Sequence, residues 1–132
     1  MTVDLVALKR SGPTVVLNLR LRTTAADPEG RTSAQIAQAL ANDVNEKTPG
    51  GDTIDTDNAD GLELVDTKNR KRHLVARDTE NRCVCSSGLS SVFVRPVAPV
   101  NVSATFGAPP ADVRAMDVTI PGFGTMTDVP LS

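Results

Sequence analysis

Residues 2–21 read TVDLVALKRSGPTVVLNLRL, and they contain two runs of spaced apolar residues with a turn between them. The first run holds Val3, Leu5 and Leu8, and the second holds Val15, Leu17, Leu19 and Leu21. Side chains that alternate along a strand point to opposite faces, so each run predicts a strand with one buried face. Residues 10–13, Arg-Ser-Gly-Pro, have the composition of a turn. The stretch therefore predicts an opening antiparallel hairpin.

The second half of the chain repeats this apolar alternation in short segments. The segments are residues 62–65, 74–75, 92–94, 100–106, 113–120 and 126–131. Turn sequences rich in Gly, Pro, Asn and Lys separate most of them, as at residues 67–70 and 121–124. About seven short strands with regular turns predict one all-β domain over residues 1–132, an antiparallel immunoglobulin-like β-sandwich. The antibody-type marks are absent, because the chain has no Trp and its two cysteines lie too close in sequence to join facing sheets.

One segment departs from the strand pattern. Ile36, Leu40 and Val44 recur at every fourth residue, and Ser33 is a suitable N-cap, so one short helix is predicted as an insertion over about residues 33–46. A polar loop rich in Gly and Asp is predicted after it, over about residues 48–61.

Composition restricts the classes of function. The net charge is −2, from 14 basic and 16 acidic residues, so no global field favours nucleic acid, and we expect no nucleic-acid partner. The absence of Trp and Tyr removes the usual stacking platforms for bases and sugars. The apolar runs are far shorter than the roughly 20 residues that span a bilayer. We expect a monomer without a transmembrane segment or a cofactor.

The first residues read as a strand and lack the features of a signal peptide. Two interpretations follow: a cytoplasmic protein, or a mature domain cut from a longer exported chain. A resemblance favours the second. It is carried by residues 62–66 (LELVD), 73–78 (HLVARD), 83–86 (CVCS), 105–110 (TFGAPP) and 118–123 (VTIPGF).

Over about the last seventy residues, the sequence resembles a module of actinobacterial envelope proteins, which are secreted or lipid-anchored and in part carry an OmpA-type peptidoglycan-binding domain. The resemblance implies an immunoglobulin-like sandwich in the extracellular space or cell envelope, and it assigns no activity to any residue. The expected function is a non-catalytic interaction or scaffold module, with a protein or cell-wall component as partner. The alternative is a domain that binds a small ligand or a metal ion, calcium or zinc.

Cys83 and Cys85 are the most specific local feature. Two residues at i and i+2 on a strand point to one face, but an extended chain places their Cα atoms about 6.6–7.2 Å apart, at the upper limit for a disulfide. We predict a small-ring disulfide between the two cysteines, which requires a kink in the chain that Ser86, Ser87 and Gly88 would permit. The alternatives are a free thiol pair, a zinc site in which His73 is a third ligand, or a redox site.

Charged residues form two further candidate sites. Asp52, Asp55, Asp57 and Asp60 could bind calcium, but the EF-hand spacing fails and a solvated loop rich in Asp and Asn is the favoured interpretation. The basic residues Lys68, Arg70, Lys71 and Arg72 could bind an anion, or they could be a charged turn that keeps a sheet end soluble.

Catalytic motifs are lacking in the sequence. His73 is the single histidine, and Ser86 or Ser87 could act as a nucleophile only if the fold brought them to it. There is no phosphate loop, nucleophile elbow or metalloprotease helix. We therefore expect the chain not to be an enzyme.

Overall fold

The structure is a computed structural model that describes residues 2–23, 40, 58–89, 92, 94–96 and 98–132. Within these ranges, seven strands form two antiparallel sheets. The strands are β1 (Thr2–Ser11), β2 (Thr14–Arg22), β3 (Glu63–Asp66), β4 (Lys71–Leu74), β5 (Val100–Gly107), β6 (Ala115–Ile120) and β7 (Gly124–Pro130). One sheet has the order β1-β2-β5, and the other has the order β4-β3-β6-β7.

Successive strands or pairs of strands alternate between the two sheets along the chain. The β1–β2 hairpin opens the first sheet, the β3–β4 hairpin lies in the second, β5 returns to pair with β2, and β6 and β7 complete the second sheet. This alternation gives the immunoglobulin-like arrangement of two packed antiparallel sheets. The predicted sandwich of about seven strands is confirmed.

The core lies between the sheets and is filled by the inward residues of the alternating runs. In β2, Val15, Leu17 and Leu19 have no exposed surface, and their neighbours in sequence are more exposed. The second sheet contributes inward residues from β3 and β6 in the same alternating pattern. Phe106 of β5 is the largest of the fully buried side chains in the described ranges.

Two sequence predictions lie largely outside the described residues: the helix over about residues 33–46 and most of the polar loop over about residues 48–61. Leu40, which falls within the predicted helix, is fully buried, and its carbonyl accepts a hydrogen bond from Gly61 N–H at 2.7 Å. The predicted segment around residue 92 joins neither sheet in the described ranges. Val94 packs into the core there, and Arg95 forms an isolated bridge with Ala98.

The outer strands β1 and β7 each carry an irregularity in their pairing. The β1–β2 register shifts around Val6, and the β6–β7 register shifts near Asp128, which has a φ of 54°. Bulges on edge strands hinder pairing with another chain. Next to the second half of β1, Arg10 N–H donates to Ser132 O at 2.8 Å and Ser132 N–H donates to Leu8 O at 3.1 Å. This two-bond pattern closes one side of the sandwich with parallel backbone pairing.

Candidate functional site

Cys83 and Cys85 form a disulfide, with Cα atoms 5.3 Å apart. This distance is well below that of an extended chain, so the predicted kink is present. The residue between the two cysteines, Val84, forms backbone hydrogen bonds to two different segments of the chain. Val84 N–H donates to Ala76 O at 2.8 Å, and Val84 O accepts from Thr105 N–H at 2.8 Å.

The disulfide lies in a segment that joins the two sheets on the side of the sandwich formed by β4 and β5, opposite the side closed by Ser132. We define this seam as residues 75–86. Its hairpin turns at Asp78, whose N–H donates to Arg82 O at 2.8 Å, while Asn81 takes a left-handed conformation. Isolated bridges join Val75 to Phe106 and Cys85 to Ala104. The seam therefore links the end of β4 to the edge of β5.

The two cysteines are partly buried against the core, whereas Val84 between them is 42% exposed. Each sulfur is bonded to the other, so neither is available as a thiolate ligand while the disulfide is intact. His73, the third ligand of the hypothetical zinc site, has Nδ1 2.9 Å from the Gly107 carbonyl oxygen. In the part of the chain that the structure covers, no group of three or more His, Cys, Asp or Glu side chains is placed to hold a metal ion.

Asp60 is the described member of the candidate calcium set, because Asp52, Asp55 and Asp57 lie outside the described residues. Its carboxylate is buried and accepts a hydrogen bond from Arg77 Nη2 at 3.1 Å. This contact ties the polar loop to the seam. The ion pair gives Asp60 a structural role, in which it balances the charge of a half-buried arginine.

The β3–β4 hairpin carries the four predicted anion-binding residues, Lys68 and Arg70 in the turn and Lys71 and Arg72 at the start of β4, and the structure divides them into two pairs. Lys68 Nζ donates to Asp112 Oδ2 at 2.7 Å, and Arg72 pairs with Glu63 on the neighbouring strand. Arg70 and Lys71 are exposed, and neither forms an ion pair with another described residue. The charge available to a ligand is therefore concentrated at the end of the turn and the first residue of β4.

Asp66 fixes the shape of this turn. It is fully buried, and its carboxylate accepts hydrogen bonds from Asn69 N–H at 3.1 Å and from Asn69 Nδ2 at 2.7 Å. Burial by itself would raise the pKa of Asp66, but the hydrogen bonds from Asn69 and from the Lys68 backbone outweigh it, and the pKa lies below its ordinary value. The turn ends at Arg70, whose φ is 56°.

Two of the three residues considered for catalysis, Ser86 and His73, form side-chain hydrogen bonds with backbone groups. Ser86 Oγ accepts from Ser103 N–H at 2.9 Å. His73 Nδ1 donates to the carbonyl of Gly107, the last residue of β5. Its Nε2 is buried without a hydrogen-bond partner in the described ranges. These contacts position the two side chains independently, and no contact joins them.

The long-range contacts of Arg10 were not predicted from the sequence. Arg10 lies at the predicted first turn, and its guanidinium donates to the carbonyls of Pro109, Pro110 and Val113 at 2.7–3.2 Å. No local pattern marks this role, since the acceptors are backbone atoms about a hundred residues away. The contact joins the first hairpin to the β5–β6 connection.

No family model, curated protein or solved structure matches the chain. In the ranges that the structure describes, no helix has both the length and the apolar character needed to cross a membrane.

Proposed function

We propose that this chain is a non-catalytic interaction or scaffold module of the bacterial cell envelope, working outside the cytoplasm as a monomer. The observation that carries the proposal is the Cys83–Cys85 disulfide. Structural disulfides persist in secreted and periplasmic proteins and are rare in the cytosol, where thiols are kept reduced. The alternative of a metal-binding domain lacks comparable support, because both sulfurs are used in the disulfide and Asp60 is paired with Arg77.

The sheet edges of this fold suit a monomeric module that binds its partners through its surface. Both open sides of the sandwich are bridged, one by the seam and the other by Ser132, and two of the four edge strands, β1 and β7, carry bulges. Such features discourage association through strand edges. They support a monomeric module whose contacts with partners are made by its turns and sheet faces.

The test is the oxidation state of the two cysteines in living cells. Cells that produce the full-length protein are quenched in acid and unfolded, and the protein is then alkylated before and after reduction. We expect no labelled thiol before reduction, two after it, and an intact mass about two hydrogen masses below the reduced form. The Cys83→Ala/Cys85→Ala variant gives the background labelling. Two free thiols in protein taken directly from cells would refute the extracytoplasmic assignment.

A further inference from the structure

We propose that one end of the sandwich binds a phosphate-bearing anionic polymer through Lys68, Arg70, Lys71 and Arg114, which we call the basal cluster. The assignment rests on the interaction-module proposal and adds to it a surface and a class of partner. It goes beyond the sequence prediction in two respects. It removes Arg72, which is paired with Glu63 on the outer face of the second sheet, and it adds Arg114 from another part of the chain.

Contacts between distant segments show that the basal cluster belongs to one surface. Lys68 in the β3–β4 turn pairs with Asp112 in the β5–β6 connection. Arg114 ends that connection, directly before β6, and its carbonyl accepts from Leu131 N–H at 2.8 Å. Because β6 is antiparallel to β3, the start of β6 lies beside the end of β3. Four basic residues from two separate segments thus meet at one end of the molecule.

The charges of the basal cluster are largely uncompensated. All four side chains belong to exposed residues, and among the described contacts only Lys68 has an ion-pair partner, Asp112. The carboxylate of Asp66 beneath the turn is fully buried and is used by Asn69. A concentration of positive charge on a chain whose net charge is −2 is a local feature that an anion can recognise.

The backbone at Arg70 gives an independent reason to assign it a role. Seven described residues have positive φ, and six of them are Gly, Asn or Asp, the residue types that tolerate the left-handed region. Arg70, at φ 56°, is the exception. Its conformation is less favourable than that of Gly or Asn at the same place, and such strain is typical of functional positions. The strained residue is also one that has no internal ion pair.

The chemistry favours phosphate groups on a polymer. Arginine donates two parallel hydrogen bonds to phosphate, and a linear polyanion can contact several basic side chains at once. A membrane surface fits less well, because the exposed large apolar side chains of the described residues lie elsewhere. Val6 is in the middle of β1, Leu74 is at the far end of β4, Val84 is in the seam and Phe123 is in the turn at the opposite end of β6.

The experiment titrates the whole chain with linear polyphosphate over a series of salt concentrations, with Arg70→Asn and Arg82→Asn as a matched pair. Both variants lose one exposed arginine, and Arg82 lies in the seam, outside the basal cluster. We expect Arg70→Asn to weaken binding about threefold to tenfold and to lower the slope of log Kd against log salt by about one. Arg82→Asn should bind as the wild type does.

Two further measurements separate binding from folding. Arg70→Asn should melt at the same temperature as the wild type or higher, because asparagine tolerates positive φ. Asp112→Asn, which releases Lys68, should tighten binding. Absence of polyphosphate binding at low salt, or equal weakening by Arg70→Asn and Arg82→Asn, would overturn the proposal. Binding to phosphatidylglycerol vesicles but not to polyphosphate would also overturn it, in favour of a membrane surface.

The outcomes for the two proposals are distinct. Failure of polyphosphate to bind a protein whose cysteines are oxidised in the cell removes the basal cluster as a binding surface and leaves the envelope module standing. Free thiols in the cell remove the compartment assignment, whatever the titration shows.

Discussion

Reduction of the Cys83–Cys85 disulfide should have only a small effect on the free energy of unfolding. The ring that the disulfide closes contains three residues, and the chain-entropy relation gives about 1.6 kcal/mol for a ring of that size, against about 4.7 kcal/mol for a loop of 100 residues. The hydrogen bonds that Val84 makes to Ala76 and Thr105 are made by its backbone and remain possible after reduction. We therefore expect a loss of about 1–2 kcal/mol.

The measurement is urea unfolding followed by far-ultraviolet circular dichroism, since the chain has no Trp or Tyr to serve as a fluorescence probe. Oxidised protein, reduced protein and the Cys83→Ala/Cys85→Ala variant are compared, with the m-value as a check that the denatured state is unchanged. Val84→Pro is the contrasting variant, because it removes the N–H that bonds to Ala76 and should cost more than reduction does. A loss above about 3 kcal/mol on reduction, or a smaller effect of Val84→Pro than of reduction, would refute the reasoning.

Three further predictions follow from the core, the β3–β4 turn and the β1 contact. Leu17→Ala, at a fully buried site in the central strand β2, should lower the free energy of unfolding by about 2–5 kcal/mol in the same urea experiment, and a loss below about 1 kcal/mol would contradict the packing described. The pKa of Asp66 is lowered in the native state, so the contribution of its carboxylate to stability is present above its unfolded pKa and is lost as the pH falls through its native pKa. The melting temperature of Asp66→Asn should therefore fall less in acid than that of the wild type. Identical pH profiles for the two proteins would count against this role. Arg10→Met removes hydrogen bonds to three carbonyls and should lower stability by about 1–3 kcal/mol, whereas Lys9→Met, an exposed neighbour, should change it by less than about 0.5 kcal/mol; equal effects in thermal unfolding would exclude the proposed role of Arg10.

The strands were predictable because their signal is local. The alternation from Val15 to Leu21 corresponds to the buried and less buried residues of β2, and the turn sequence after Asp66 corresponds to the observed hairpin. Because successive side chains of a strand point to opposite faces, any strand with one buried face has an inward residue at every second position. The same period shows which residues form the core.

The connections between sheets were not predictable, because they depend on which segments meet. The sequence around Arg77 does not indicate that this residue has a buried partner. In the structure, its guanidinium pairs with Asp60, which lies shortly before β3. Val84 reads as one residue of an alternating pattern, and its two backbone bonds depend on where β4 and β5 end. The anion-binding prediction found the basic turn from its composition. It included Arg72 because sequence does not show that Glu63 lies on the adjacent strand within reach of that side chain.

The pairing between the second half of β1 and the last residue has a mechanical consequence. Leu8, Arg10 and Ser132 are joined by two parallel backbone hydrogen bonds, and the Ser132 hydroxyl adds a third, to the carbonyl of Leu8. β1 and the chain at Ser132 run in the same direction there, so tension that pulls Thr2 and Ser132 apart slides the two segments along each other and loads these bonds together. Bonds loaded together in shear must break at once, whereas a hairpin pulled from its open end separates one bond after another. The short contact between β1 and Ser132 therefore resists such tension in shear.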